Sequence, residues 1–281
     1  MRHNLPDFVI VGPPKCATTW MYECLGEHPD VYMPDTDSVN YFDMNFHRDI
    51  EWYSQHFEDA ETPDIVGEES PQYLFDINAT ERMSNDNPDT KLIMCLRNPM
   101  KRAFSHYWHE KKKNRILYDF EDALEIYPIY HDWISPGFYY QHLKRFKQHF
   151  PEENIKVLIF DDLKEDDESF IQEIFEFVGA DPDFRPSLLD EKSNSASGQI
   201  NRNYQIVQNF ILENAPEIIV KSARPVHRKI HGFFRDNSEY EEGMSEEMRK
   251  KLEEVYIEDI RKLSDEIGRD LSHWFDHHDF S

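Results

Sequence analysis

The feature that most constrains the fold of this chain is a short apolar run followed at once by a tight, lysine-containing turn. The run is Phe8–Val11 (FVIV), and residues 12–19 read GPPKCATT. An apolar run bounded by turn residues is typical of a buried strand, and Thr18–Leu25 is predicted as a helix that ends near Gly26. A strand that leads through a turn into a helix exposes free N–H groups, which favour an anion. The sequence therefore predicts a phosphate-binding loop centred on Lys15.

This loop differs from the Walker A motif of ATP-binding proteins. That motif is Gly-x-x-x-x-Gly-Lys-Ser/Thr, whereas here Lys15 comes early and Ala17 stands where the late glycine is expected. Two threonines, Thr18 and Thr19, then follow. The loop alone does not distinguish ATP from another phosphorylated donor. A strand-to-helix turn with an incidental lysine and a threonine N-cap is the alternative interpretation.

A second candidate anion site follows a second buried strand, Lys91–Leu96 (KLIMCL). Arg97 lies where this strand ends, which is the edge at which open α/β sheets bind ligands. Pro99 favours the start of a helix, predicted over Met100–Lys113, and Ser105 lies within it. An arginine with a nearby serine can bind a phosphate through charge-assisted hydrogen bonds. Two separate phosphate sites indicate a nucleotide that is phosphorylated at two positions.

Strands and helices alternate through most of the chain. A third strand is predicted over Ile155–Phe160, an amphipathic helix over Ser169–Val178, and a long helix over Ser245–Leu263. This order predicts an α/β fold with a mostly parallel sheet covered on both faces, followed by a helical C-terminal part from about Tyr204. Because neither a repeat nor a low-complexity linker divides the sequence, we expect residues 1–281 to form a single domain.

Taken together, these segments resemble a known family. GPPKCATT at residues 12–19 and RNPMKRAFSHY at residues 97–107 resemble the paired signature of sulfotransferases that use 3′-phosphoadenosine 5′-phosphosulfate (PAPS). NYF at residues 40–42 and GEESPQY at residues 67–73 are similar to the acceptor side of the carbohydrate sulfotransferases. IGRDLSHW at residues 267–274 is similar to the C-terminal end of prokaryotic members of the family. The resemblance implies a P-loop-type three-layer sandwich.

The resemblance also implies which residues bind the donor. Lys15 would stabilise charge on the bridging oxygen as well as bind the phosphosulfate. Arg97 and Ser105 would bind the 3′-phosphate, and Trp20 and the loop containing Arg202 would approach the adenine or the 3′-phosphate. The residues that would bind the 5′-phosphosulfate all lie in the first loop: Lys15, Cys16, Ala17, Thr18 and Thr19.

The acceptor side departs from the family pattern at the catalytic base. Carbohydrate sulfotransferases carry a glutamate at the position that is Ser38 in this sequence, and an unassisted serine is a poor proton acceptor. Glu69, Asp37 and His106 are the candidates that could take the proton instead. Glu69 stands where relatives often carry a lysine, so the loss of one glutamate and the gain of another could be paired. If none of the three acts, the protein binds PAPS without catalysis.

The leading functional hypothesis is transfer of a sulfuryl group from PAPS to a hydroxyl of a carbohydrate, on a glycan or a glycolipid. The alternative is an ATP-dependent P-loop kinase, because the strand VLIF at residues 157–160 ends in Asp161, where such enzymes bind Mg²⁺. Sulfuryl transfer needs no metal, and the sequence predicts none.

The charge of the chain excludes one class of partner. With 56 acidic and 31 basic residues the formal net charge is −25, whereas nucleic-acid binding needs a basic surface. The acidic residues are scattered along the chain, which favours a halophilic protein that works in concentrated salt. Lys101 and Arg102 are expected on a solvated face or in local ion pairs.

The same sequence predicts a soluble cytoplasmic protein. The three cysteines, Cys16, Cys24 and Cys95, fit neither a disulfide framework nor a zinc site, which favours a reducing compartment. We expect no signal peptide, because the first core strand starts at about Phe8. No apolar run approaches the ~18 residues that a membrane-spanning helix needs.

Overall fold

A computed structural model describes residues 4–36, 38–60, 65–189 and 243–275. Asp37 and Arg202, two of the predicted site residues, lie outside these ranges, as does the predicted helical stretch from Tyr204 to residue 242. Within the described ranges, no helix is long and apolar enough to cross a membrane.

A sheet of five parallel strands forms the centre of the described part, in the order β2-β3-β1-β4-β5. This confirms the predicted parallel sheet. Because the strands are parallel, the segments that follow β3, β1 and β4 leave the same edge of the sheet side by side. The strand bounds are β1 Phe8–Gly12, β2 Val31–Tyr32, β3 Ile65–Glu69, β4 Lys91–Leu96 and β5 Ile155–Ile159.

Helices cover both faces of this sheet. Successive residues of a strand point to opposite faces, so Phe8 and Ile10 pack with one apolar cluster while Val9 and Val11 pack with the other. The first cluster includes residues of α1 and α8, and the second includes residues of α4, α6 and α9. The α-helix bounds are α1 Thr18–Gly26, α2 Ile50–Ser54, α3 Ala79–Asp86, α4 Pro99–Lys112, α5 Tyr127–Ile129, α6 Tyr139–Lys147, α7 Phe160–Glu165, α8 Asp167–Val178 and α9 Glu246–Ile267.

Short 3₁₀ turns and one π-helical turn of the described ranges connect several of these elements. One of them, the 3₁₀ turn Pro71–Leu74 directly after β3, packs against the end of β1. The other 3₁₀ turns of the described ranges are Gln55–Phe57, Phe120–Leu124, Ser135–Gly137, Glu152–Asn154 and Ser272–Trp274, and Tyr130–Ile134 forms a π-helical turn.

The largest difference from the sequence-based prediction is β3, which lies next to β1 and was not predicted as a strand. Its sequence, IVGEE, carries two carboxylates and a glycine, which is unlike a buried strand. Gly67 is required there, because a Cβ would overlap the ring of Phe8 and the sulfur of Met33. Glu68 is buried because side-chain hydroxyls hydrogen-bond to it.

Candidate active site

The turn after β1 is shaped by three residues with left-handed backbone angles. Gly12 has φ 106°, Lys15 φ 73° and Ala17 φ 64°. At Gly12 a side chain is excluded twice, because φ favours glycine and because a Cβ would overlap the carbonyl of Pro71. Left-handed residues in a turn of this kind direct successive N–H groups to one side, which makes a concavity that binds anions.

The first turn of α1 leaves its N–H groups available. Ala17 is the N-cap residue, and neither it nor another side chain of the described ranges caps this end by a hydrogen bond. The backbone N–H of Met21 is bonded to the Ala17 carbonyl at 2.9 Å, so the N–H groups of Thr18, Thr19 and Trp20 precede the first intrahelical bond. These donors and the helix dipole favour a phosphate or sulfate group.

Lys15 adds a positive charge that is only partly hydrated. Burial and, to a smaller extent, the positive charges of Lys113 and Arg97 lower its pKa to about 8, while the charge of Glu110 acts in the opposite direction. The side chain is therefore mostly protonated at neutral pH. An anion beside Lys15 would offset the unfavourable positive field, so the loop is electrostatically suited to a phosphorylated ligand.

Arg97 joins the second predicted anion site to the first. It follows β4, the strand next to β1, and its side chain is only 3% exposed. The guanidinium lies over the ring of Phe160, and its Nη1 donates a hydrogen bond of 3.3 Å to the carbonyl oxygen of Lys15. The Tyr139 hydroxyl donates to the carbonyl oxygen of Arg97 at 2.7 Å. The Arg97 guanidinium is therefore hydrogen-bonded to the backbone of the Lys15 loop.

The N–H groups of the first turn of α4 are capped by a side chain, whereas those of α1 are available to a ligand. The side-chain oxygen of Asn98 accepts hydrogen bonds of 3.1 Å from the N–H groups of Met100 and Lys101. The Asn98 amide also donates to the carbonyl oxygen of Trp274 at 2.6 Å, which attaches the C-terminal segment to this site. A phosphate bound here would consequently depend on the side chains of Arg97 and half-buried Ser105, because the helix N–H groups are occupied.

Two of the predicted donor-binding side chains are buried in the core. The Cys16 thiol is fully buried, and burial raises its pKa to about 11. The Trp20 ring is 2% exposed and packs edge-on against Phe170 of α8, with 6.0 Å between ring centroids. Their side chains therefore contribute to the core beneath the loop, and only their backbone groups are suited to contact a donor.

Arg102 corrects the expectation of a solvated cation. It is fully buried, since its face of α4 points inward, and its guanidinium donates to the carbonyl oxygen of Trp133. Its positive charge acts on Tyr139 and Tyr256, two buried neighbours. Lys101, the preceding residue, is half-buried.

Glu69 lies beside the donor loop. It is the last residue of β3, pairs with Ile10 of β1 in the parallel register, and is 8% exposed. The next residue, Ser70, donates its N–H to the carbonyl oxygen of Ile10 at 3.0 Å. The Ser70 hydroxyl accepts the N–H of Asn40 at 3.2 Å, so the segment that contains Ser38 reaches the same edge of the sheet. The residue that replaces the expected base and the carboxylate that could substitute for it are thus on adjoining segments.

His106 lies in a positive environment. Burial lowers its pKa well below the ordinary value, and the positive charges of Arg102 and Lys15 lower it further. The imidazole is therefore neutral, and the field that keeps it neutral also makes it a weak proton acceptor. Of the two described candidates for the base, Glu69 is the better placed.

The acidic pair after β5 contacts the C-terminal segment of the described chain. Asp161 accepts a hydrogen bond of 2.9 Å from the Trp274 indole and lies 3.4 Å from the Nε2 atom of His273. Asp162 forms an ion pair with Arg269. In the part of the chain that the structure describes, no group of three or more His, Cys, Asp or Glu residues could hold a metal ion. The feature that favoured a Mg²⁺-dependent kinase therefore anchors the C-terminal segment.

Comparison with known proteins agrees with this arrangement. The family model described as "Sulfotransferase domain" matches residues 5–264. The human bifunctional heparan sulfate N-deacetylase/N-sulfotransferase 3 is 28% identical over 203 residues, which cover 66% of this chain and 23% of that protein. The human heparan sulfate glucosamine 3-O-sulfotransferase 5 is 28% identical over 244 residues, which cover 82% of this chain and 69% of that protein.

A solved structure shows the same fold. The crystal structure of a sulfotransferase from Alicyclobacillus acidocaldarius superimposes with a TM-score of 0.71 at 24% identity, covering 96% of this chain and 98% of the other. Because the family model covers most of the chain, the protein belongs to the sulfotransferase family. The chain spans only 23% of the length of the N-deacetylase/N-sulfotransferase relative.

Proposed function

We propose that the protein transfers a sulfuryl group from PAPS to a hydroxyl of a carbohydrate acceptor, on a glycan or a glycolipid, and releases adenosine 3′,5′-bisphosphate. The observation that carries this proposal is the hydrogen bond from the Arg97 guanidinium to the Lys15 carbonyl oxygen. It brings two cationic sites together at neighbouring strand ends, which suits one ligand with two separate phosphate groups. The heparan sulfate sulfotransferases among the relatives support a carbohydrate acceptor.

The donor would be held by the groups already described. The free N–H groups before Met21, the hydroxyls of Thr18 and Thr19, and Lys15 would bind the 5′-phosphosulfate. Arg97 and Ser105 would bind the 3′-phosphate. When bound, PAPS supplies the activated sulfuryl group together with a bisphosphate leaving group. The Lys15 ammonium would stabilise the negative charge that develops on the leaving oxygen, which is the role of a preorganised cation in a transition state.

Glu69 is the proposed general base. A base must lie within reach of the acceptor hydroxyl, and Glu69 ends the strand that borders the donor loop. Ser38, on the adjoining segment, lacks the basicity for this step. Asp37 remains a second candidate, and His106 is a third, disfavoured by the positive charges around it.

A transfer assay tests the function. The full chain is incubated with PAPS carrying a labelled sulfuryl group and with a panel of glycans, glycolipids and phenols in high salt. We expect label to appear on carbohydrate hydroxyls with equimolar release of adenosine 3′,5′-bisphosphate. Labelling of phenols alone would contradict the proposed acceptor class. Binding of PAPS without transfer would indicate a protein that binds the donor without catalysis.

The working environment is part of the proposal. The net charge of −25 supports function in concentrated salt, where screening weakens repulsion between acidic residues. The free, buried thiols of Cys16, Cys24 and Cys95 support a reducing cytoplasm. We expect the melting temperature to rise between low and molar salt, and a melting temperature independent of salt would contradict the halophilic interpretation.

A further inference from the structure

A buried carboxylate connects β3 to the acceptor-side segment. Glu68 is fully buried, one residue before the proposed base. Its carboxylate lies within hydrogen-bonding distance of three hydroxyls: Tyr53 at 2.5 Å, Ser70 at 2.6 Å and Tyr73 at 2.9 Å. A buried carboxylate with three hydroxyl partners is well satisfied without a cation.

Two of these hydroxyls also accept hydrogen bonds from the backbone of the acceptor-side segment, residues 38–42. The Ser70 hydroxyl accepts the backbone N–H of Asn40 at 3.2 Å, and the Tyr73 hydroxyl accepts the N–H of Phe42 at 3.2 Å. A backbone N–H can only donate, so each hydroxyl uses a lone pair for the amide and turns its own proton toward Glu68. The amides of the segment thereby fix the direction of both hydrogen bonds to the carboxylate.

Tyr53 provides the natural contrast. Its hydroxyl contacts the same carboxylate, but within the described ranges no amide of residues 38–42 donates to it. Its ring stacks on Tyr41 with 4.5 Å between centroids and packs edge-on against Phe42 at 5.3 Å. The Tyr73 ring likewise packs edge-on against Phe42, at 5.5 Å. Removing either tyrosine hydroxyl leaves ring packing in place, but only Tyr73 holds the segment through a hydrogen bond.

We propose that Glu68 is a positioning residue that fixes residues 38–42 against β3 through Ser70 and Tyr73, and so aligns the acceptor with Glu69. This inference rests on the proposed function, in which these segments form the acceptor side. Its importance follows from Ser38: the base lies on one segment and the expected base position on another, so the reaction depends on their relative placement. A misplacement of about 1 Å can reduce a rate about 100-fold.

The alternative is that Glu68 and its hydroxyls only stabilise the fold. In that case the three partners are equivalent, and Tyr53→Phe would change activity as much as Tyr73→Phe. If Glu68 acts through the segment, Ser70→Ala and Tyr73→Phe impair use of the acceptor, while Tyr53→Phe lowers stability alone. The substitutions remove single hydroxyls, which makes them a matched set.

The experiment measures kcat and KM for the acceptor, adenosine 3′,5′-bisphosphate affinity and unfolding by urea for all three variants of the full chain. For Ser70→Ala and Tyr73→Phe we expect kcat/KM for the acceptor to fall about tenfold or more, with donor-product affinity unchanged within about twofold. For Tyr53→Phe we expect kcat/KM to remain within about twofold of wild type. Equal losses in Tyr53→Phe and Tyr73→Phe would overturn the proposal.

Glu68 itself is tested by two substitutions. Glu68→Gln keeps one oxygen that can accept from both Ser70 and Tyr73, so we expect it to retain most of the acceptor turnover that Glu68→Leu loses. If Gln proves as impaired as Leu while both proteins fold, the hydrogen-bond path is not what Glu68 provides, and the proposal fails.

Amide hydrogen exchange supplies a readout that needs no activity. We expect exchange at Phe42 to accelerate in Tyr73→Phe and exchange at Asn40 to accelerate in Ser70→Ala, with neither accelerated in Tyr53→Phe. Uniform acceleration in all three would indicate a purely structural role. If wild type transfers no sulfuryl group, the proposed function fails and the positioning role falls with it. If wild type is active and the three variants behave alike, only the positioning role fails.

Discussion

The donor side and the proposed acceptor side of the sheet edge present different chemical groups. On the donor side, the turn after β1 offers backbone N–H groups, and two cations, Lys15 and Arg97, lie in contact through a backbone carbonyl. On the proposed acceptor side the polar groups are carboxylates and hydroxyls, with Glu69 only 8% exposed at the end of β3 and Glu68 fully buried one residue earlier. Backbone donors depend on turn geometry, whereas a side-chain carboxylate can be supplied by either of two adjoining segments.

If Glu69 is the base, as we propose, this difference explains why one side keeps its family pattern and the other departs from it. The turn at Gly12 tolerates no Cβ, so the donor loop cannot be rearranged without loss. A base has only to reach the acceptor hydroxyl. Since the segment of Ser38 is hydrogen-bonded to the residue after Glu69, a carboxylate can be exchanged between them while the reaction geometry is kept.

The substitution with the largest expected effect, Glu69→Gln, should impair the acceptor side and leave the donor side intact. Glu69→Gln removes the proposed base while preserving shape, so sulfuryl transfer should fall about 10²- to 10⁴-fold with no change in affinity for adenosine 3′,5′-bisphosphate. Transfer kinetics and calorimetry measure the two quantities. Asp37→Asn is the matched control, expected to retain activity. Full activity in Glu69→Gln with loss in Asp37→Asn would assign the base to Asp37.

On the donor side, Lys15→Met should lower kcat about 10²- to 10³-fold, because it removes a charge aimed at the leaving oxygen. It should also weaken adenosine 3′,5′-bisphosphate binding, which distinguishes it from Glu69→Gln. Lys113→Met, which removes an exposed lysine whose charge acts on Lys15, is the control and should retain turnover. Unchanged donor affinity in Lys15→Met would contradict the assignment of this loop.

The pH dependence of donor binding follows from the same lysine. The pKa of Lys15 is about 8 in the free protein, and a bound anion raises it, so affinity should fall as pH rises through about 8, by about tenfold per pH unit at most. Lys113→Met removes a positive charge that lowers this pKa, so it should move the midpoint to higher pH. Calorimetry across this range measures both. A pH-independent affinity would contradict a role for the Lys15 charge.

The smallest effect concerns the closed helix start at α4. Asn98→Ala removes the cap of α4 and the bond to the Trp274 carbonyl, so the free energy of unfolding should drop by about 2 kcal/mol. Because Arg97, a proposed ligand of the 3′-phosphate, directly precedes Asn98, the affinity for the donor should also weaken slightly. Asp166→Ala, which uncaps α8, should cost about 1 kcal/mol in urea unfolding and leave donor affinity unchanged. The same change in affinity for both variants would remove the link between this cap and the donor site.

The donor side could be predicted from sequence because its signals are local. The apolar runs of β1 and β4, the residues of the turn and the proline that starts α4 all act within a few positions of one another. Helix α1 was predicted to within a residue for the same reason.

The acceptor side could be predicted only as a hypothesis, because tertiary contacts create it. Glu68 looks unlike a strand residue until Tyr53 and Tyr73, from two other segments, are placed against it. Arg102 was expected at the surface, since the sequence does not show that Trp133 and Tyr256 would enclose it. The pairing of Glu69 with Ile10 depends on strand order, which no local pattern specifies.

The central claim is that Lys15 and Arg97 together bind one nucleotide with two separate phosphate groups. Calorimetry of wild type and Arg97→Met with adenosine 3′,5′-bisphosphate, adenosine 5′-monophosphate, and ADP with Mg²⁺ tests it most directly. We predict that wild type prefers the 3′,5′-bisphosphate, and that Arg97→Met lowers its affinity to that of the 5′-monophosphate without changing the latter. Tighter binding of ADP with Mg²⁺ to wild type, or an equal loss of both adenosine nucleotides in Arg97→Met, would contradict the claim.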